Sequence, residues 1–300
     1  MKLLPYIIVL FAAILWGTTG TLQTYLQGGI APISVAAFRS LFGGGILLII
    51  LVMMRKINFK TWSWKWTILA AILIGLFQTS FFSSIRLTGV AIGTVITIGS
   101  SPIFAGFIEW LLFKRRPNRI WAIATLLSVI GVALLFVRKG DSTIHPTGIL
   151  FALCAGVLFA LYTNFSKRLM EREHTLPAVA MTFTLCALFL LPFTFQNGYG
   201  WLTDSMNLVT ILIMAFFATS LAYILFLYGL KRIPPSSAVT LSLAEPLTAA
   251  LLGVFLLKEQ LGVVSWIGIT CILSGIIVLT FEGGRKTTAQ KGSFFTSDES

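Results

Sequence analysis

The chain has 300 residues, 57% of them hydrophobic and 11% charged, with a mean hydropathy of +0.92. Soluble domains average about 25% charged residues, so too little polar side chain is present to coat a water-exposed fold, and lipid is the expected solvent. The net charge of +12 falls on no separable polar segment with interleaved aromatics, which argues against a nucleic-acid surface.

A hydrocarbon core of about 30 Å needs about 20 apolar residues per helical crossing. Windows of that kind follow one another at 4–22, 33–54, 66–85, 90–113, 120–137, 147–165, 178–195, 208–229, 236–257 and 263–281. Lys2 ahead of the first window resembles a signal peptide, but no Ala-x-Ala-like site follows and Trp16, Gly17 and Gly20 continue inside it, so it is read as helix 1. With both termini cytoplasmic, the inner loops and ends hold 17 Lys and Arg; the outer side holds four, Arg86, Arg138, Lys139 and Lys258. That asymmetry sets the orientation. Trp62, Trp64, Trp66, Trp110, Trp121, Trp201 and Trp266 stand near window ends, as interfacial anchors do. The polar segment 283–300 is expected to be disordered. Cys154, Cys186 and Cys271 lie in apolar segments without CxxC spacing, and His145 and His174 lack ligand-spaced partners, so neither redox chemistry nor a metal is expected.

Shifting the chain by 144 residues sets Ser101–Lys114 on Glu245–Lys258. Pro102 then meets Pro246, Ala105 meets Ala249, Leu112 meets Leu256, Lys114 meets Lys258 and, farther on, Gly131 meets Gly275. Five windows per half is an odd number, so the second half enters the membrane upside down. The expected fold is an all-α integral membrane protein of ten transmembrane helices in two inverted five-helix repeats, 1–140 and 141–282. Such halves exchange conformations and give outward- and inward-open forms, which is alternating access.

The Trp16-Gly17 pair, the proline-containing fourth window, Glu245-Pro246 and Lys258-Glu259, on the 5+5 layout, resemble the ten-helix EamA-type members of the drug/metabolite transporter superfamily. Where the second copy carries Glu259, the first carries Arg115. The resemblance implies a central cavity lined by both halves, helices 5 and 10 at the periphery, and export of amino acids or other metabolites.

Glu245 is the tenth residue of its window and stands near the midplane, where an ionised carboxylate costs at least about 2.5–3.5 kcal/mol. It should face protein or water and spend part of the time protonated, which suits proton coupling; a substrate amine is another neutralising partner, and a structural acid bonded to a neighbouring helix is the plain alternative. Pro246 removes a donor and frees the Ser242 carbonyl, so a carbonyl, a hydroxyl and a carboxyl are expected on one side. Thr94, Thr97 and Ser101 form a matching stripe beside the second helix-bending residue, Pro102, with ordinary helix packing as the competing account. Arg39, about 9 Å deep at about 1.5 Å per residue, is read as snorkelling to the outer surface, with a substrate carboxylate as the alternative. Glu109 is read as an interfacial ion pair near Lys114 and Arg115. Trp16, Thr19, Tyr162, Asn164, Gln78 and Tyr223 are further candidate lining residues, each equally explicable by packing. Gly17 and Gly20 are expected to loosen helix 1.

No P-loop, Ser-His-Asp pattern or metal cluster occurs in the sequence, so neither ATP-driven transport nor a cofactor is expected. The expected protein is not an enzyme. It is a secondary transporter of the cytoplasmic membrane that exports a small polar metabolite, with lipid as its surroundings, protons as a candidate coupling ion and no nucleic-acid partner. Metabolite uptake is the nearest alternative; a membrane-embedded enzyme or receptor is the alternative from another class.

Overall fold

The computed structural model describes residues 3–135, 145–256, 258 and 261–295, and every regular element among them is helical. Eight helices are each long and apolar enough to cross a bilayer: α1 (Leu4–Gln23), α2 (Pro32–Met53), α3 (Trp64–Val90), α4 (Ile92–Phe113), α6 (Pro146–Met170), α7 (Thr175–Phe195), α8 (Ser205–Leu230) and α9 (Pro235–Phe255). The Val263–Glu282 stretch of α10 (Val263–Phe295) qualifies as well, while α5 (Arg119–Leu135) is a shorter apolar helix. The expected window 120–137 therefore corresponds to α5, with residues 136 and 137 outside the described residues. Arg138, Lys139, the boundary at 140/141, Leu257 and Glu259 also lie outside them.

Two expected boundaries shift. The loop between the third and fourth windows shrinks to Gly89, the one residue between Trp64 and Phe113 whose dihedrals leave the helical region (φ 82°, ψ 161°). A positive φ is open to glycine without a Cβ clash. The helix runs on past Ile85 because Thr88 donates its hydroxyl to the Ser84 carbonyl and both are buried. At the other end, α10 stays helical through 283–295, where composition suggested disorder; Arg285, Lys286, Ala289, Gln290 and Lys291 are good helix formers.

Large apolar side chains such as Phe11, Ile49, Phe107, Leu126 and Phe216 cover the exterior, as a lipid solvent requires. Inside, α1 packs on α8 and α9, α6 packs on the α3–α4 hairpin, α2 on α7 and α8, and α5 on α10. Hydroxyls within the bundle mostly bond the preceding turn of their own helix: Thr163 donates to the Phe159 carbonyl, Thr184 to that of Ala180 and Thr248 to that of Ala244. A hydroxyl bonded in this way stands in an apolar interior without an unpaired group; Ser128, Thr182 and Thr219 are buried with no hydrogen-bond partner among the described residues.

The α5–α10 contact is made through backbone. A Cβ on Gly131 would lie 2.6 Å from the Gly268 carbonyl oxygen, and one on Gly268 would lie 2.6 Å from that of Gly131. Small residues let membrane helices approach until backbones touch. Gly131→Leu should therefore force the pair apart and destabilise the protein by about 1–3 kcal/mol, the usual cost of overpacking. A fall in the detergent melting temperature relative to Leu126→Ala, a change on the exposed surface, is the expected measurement.

Candidate functional site

α9 is interrupted in its middle. Pro246 brings no amide hydrogen, and its ring crowds the carbonyl four residues back. The backbone responds by tightening: the Leu243 amide donates to the Thr240 carbonyl at 3.1 Å and the Glu245 amide to the Ser242 carbonyl at 2.9 Å. The Ser242 hydroxyl donates to the Val239 carbonyl at 2.7 Å. The expected free Ser242 carbonyl is thus not free, because a three-residue turn takes it over. α4 keeps helical dihedrals through Pro102, so the two prolines act differently.

Beside the break lies a cavity of about 110 Å³, measured at the centres of water-sized molecules. It reaches from Glu245, Ser242, Thr97 and Ser101 at mid-depth to Gln23 and Val35, at the end of α1 and the start of α2. The Glu245 side chain forms no hydrogen bond or ion pair among the described residues, and the residue lines this space. Arg39 lines the same cavity. Its Nη2 donates to Gln78 Oε1 at 3.1 Å, and Gln78 Nε2 donates to Cys186 Sγ at 3.4 Å. The remaining walls are mainly aromatic, with Trp16, Phe77, Phe81, Phe82, Phe159 and Tyr223 beside Thr19 and Ile98. Trp16 is braced by Tyr223 and Phe226, with ring centroids 4.8 and 5.1 Å away, and Tyr223 by Phe183 at 4.3 Å. Contacts of this kind are worth about 0.5–1.5 kcal/mol each beyond the area they bury.

Of the residues singled out from sequence, Trp16, Thr19, Arg39, Gln78, Thr97, Ser101, Tyr223, Ser242 and Glu245 line this cavity. Arg39 donates to Gln78 and lines the cavity, in place of the expected reach to the outer surface. Three others stand outside the lining. Thr94 is buried; Tyr162 is buried against the rings of Phe159 and Tyr223; Asn164 donates to the carbonyls of Ala105 and Ala160, tying α6 to α4. Even within the lining, Thr97 gives its hydroxyl to the Ala152 carbonyl and Ser101 to that of Thr97. Gly17 does not loosen α1, which is continuous; a Cβ there would stand 2.7 Å from the Glu245 carbonyl oxygen, so the glycine lets α1 press on the broken part of α9. The phenylalanines and Gln23 were missed, because an apolar run carries no mark that tells a cavity wall from a packed core.

At the opposite end of the bundle, a second cavity of about 460 Å³ is ringed by charge: Arg115, Arg116, Lys167 and Arg232 beside Glu109, Glu171 and Glu282. Between the two, α9 is held shut. Trp121 Nε1 donates to Thr240 Oγ1 at 3.1 Å, and Thr125 and Thr240 share a bond at 2.9 Å. Glu109 accepts the Ser236 amide at 2.9 Å, at the first turn of α9. It caps a helix there, in place of the ion pair expected from its position near Lys114 and Arg115. Lys167 Nζ donates to the carbonyls of Leu230 and Ile233 in the turn before α9, and Asn118 bonds Glu282. Trp121 is accordingly tied into the bundle by its Nε1, while it also lines an outer groove with Ile103 and Phe107.

The EamA-like transporter family model matches residues 3–137 and again 146–281. The chain belongs to the EamA-like transporter family. It is 42% identical over 282 residues to the uncharacterized transporter YwfM of Bacillus subtilis, covering 94% of this chain and 95% of that protein. It is 29% identical over 293 residues to the uncharacterized inner membrane transporter YicL of Salmonella typhimurium, and 27% identical over 279 residues to protein PecM of Dickeya dadantii. A solved crystal structure, 18% identical, superposes with a TM-score of 0.82 over 94% of this chain and 98% of its own, which shows a shared fold. This EamA-like chain is a multi-pass membrane protein and a transporter of the drug/metabolite type.

In this EamA-like transporter the Glu109 cap holds α9 against α4. Removing the carboxylate takes a charged partner from the Ser236 amide, a hydrogen bond worth about 1.5–3 kcal/mol. Glu109→Ala should raise the labelling rate of a cysteine placed at Ser237 by a small maleimide, about tenfold for 1.4 kcal/mol, whereas Glu171→Ala, at an exposed pair with Arg168, should leave it unchanged.

Proposed function

We propose that this chain is a secondary transporter that exports a small polar metabolite, an amino acid or a related compound, across the cytoplasmic membrane by alternating access. In this reading ten helices form two inverted five-helix repeats, both termini are cytoplasmic, and Glu245 exchanges protons with the transported compound. One observation carries it. Glu245 of the second half and Arg39 of the first face one aromatic-walled cavity at the break in α9, and that cavity extends toward one end of the bundle while hydrogen bonds close the other.

Three further features support the two-fold arrangement. The family model matches twice along the chain. α1 packs on α8 and α9 as α6 packs on α3 and α4, and α5 pairs with α10. Lys114 and Lys258, which coincide at the 144-residue shift, both take the left-handed conformation, at φ 56° and 59°. That conformation is uncommon for a residue with a Cβ and costs about 1–2 kcal/mol; Arg55, just past α2, also adopts it, but Lys114 and Lys258 are the pair that coincides at the shift. Under the proposed orientation the cavity opens outward and the charged vestibule is cytoplasmic, in agreement with the 17 basic residues assigned to that side.

Counterflow in proteoliposomes with labelled amino acids and related metabolites tests the transport reading, and exchange of at least one class is expected. Absence of exchange for every class would count against it. Glu245→Gln keeps the side-chain shape and removes the charge; its pH-gradient-driven flux should fall about tenfold or more, the effect of about 1.4 kcal/mol, and by more than counterflow measured without a gradient. Full gradient-driven flux in the variant would remove the proton role and leave the transporter.

A further inference from the structure

We propose that Gln78 is a positioning residue that holds Arg39 as an anion subsite, so that the cavity takes a zwitterion with its carboxylate on Arg39 and its cationic group on Glu245. This rests on the transporter reading for its purpose, and on geometry for its chemistry. A guanidinium only donates hydrogen bonds. The Gln78 amide must therefore present its oxygen to Arg39, which turns its NH₂ toward Cys186 Sγ, and both bonds are formed, at 3.1 and 3.4 Å. Gln78 and Cys186 are buried, so this orientation is held from three helices, α2, α3 and α7.

A fixed amide spends one of the five guanidinium N–H donors and leaves the others for a ligand. Among the described residues no carboxylate pairs with Arg39 within ion-pair distance. Glu245 shares the cavity with it and acts on it electrostatically, yet the two remain apart. Two opposite charges that face one enclosed space without meeting select by charge pattern. A simple anion gains Arg39 and is repelled by Glu245, a simple cation the reverse, and a molecule carrying both signs is attracted at each end. The aromatic walls leave apolar substituents as the third region of contact.

The full-length protein in detergent provides the test, by ligand-dependent shift of the thermal midpoint. The probes are leucine, phenylalanine, threonine and lysine, each beside its methyl ester and its decarboxylated amine, against wild type, Gln78→Glu, Gln78→Leu and Arg39→Gln. Wild type should prefer at least one free amino acid over its ester and its amine by about tenfold or more, the scale of a charge-assisted hydrogen bond. Gln78→Glu gives Arg39 an internal carboxylate of nearly unchanged shape and should abolish that preference, as should Arg39→Gln. In counterflow, Gln78→Leu should raise the KM for the amino acid about tenfold with maximal rate retained, a split that a mere folding defect does not produce. The subsite is overturned if no amino acid stabilises wild type, if acid and ester bind equally, or if Gln78→Glu discriminates as wild type does. Carboxylate-dependent binding without counterflow would instead overturn transport and leave the subsite standing.

Discussion

A bilayer interior offers no hydrogen bonds, so every backbone amide and carbonyl must find its partner within the protein. The middle of α9 is organised by this constraint. Pro246 cannot continue the ladder, and the chain meets the deficit by tightening two turns, from Leu243 to Thr240 and from Glu245 to Ser242, while the Ser242 hydroxyl takes the Val239 carbonyl. The tightened segment aims the Glu245 side chain into a cavity, where an acid at mid-depth is tolerated. α1 can lie directly against this segment because Gly17 presents no side chain to it.

Around that break the protein separates two kinds of polar group. Hydroxyls and amides that serve packing are closed on backbone: Thr97 on Ala152, Asn164 on Ala105, Thr240 on Ser236. Glu245 and Arg39 are left facing space. Ser128, Thr182 and Thr219 are also buried with no hydrogen-bond partner among the described residues, so it is charge more than satisfaction that makes Glu245 and Arg39 outrank the buried hydroxyls as candidates for chemistry. The closure at the far end uses the same logic. Glu109 and Lys167 spend their charges on backbone groups flanking the start of α9, which holds that helix where the Trp121 and Thr240 bonds can form.

Hydropathy located the spans because lipid contact demands a long apolar run, a property that sequence states directly. The ends were less legible. Helix α3 outlasted its window because Ser84 and Thr88 bond each other, and the turn to α4 needed only Gly89. The place of Glu245 and Arg39 along their helices was readable; azimuth was not. Whether Arg39 faces lipid, surface or cavity depends on α3 and α7, which bring Gln78 and Cys186 to it from 39 and 108 residues away in the pairings Arg39–Gln78 and Gln78–Cys186. Tyr162 and Asn164 look in sequence like lining residues, and only their neighbours reveal that ring stacking and an Ala105 carbonyl have claimed them.

The Arg39–Glu245 arrangement has an electrical consequence. With both side chains ionised the two together contribute no net charge, and a bound zwitterion adds none, so reorienting the loaded cavity moves little charge through the field. Returning a proton on Glu245 would move one, and each elementary charge crossing the membrane exchanges about 2.3 kcal/mol with every 100 mV. In the proposed cycle the membrane voltage would then act on the return of the empty, protonated cavity, and scarcely on the step in which cargo crosses.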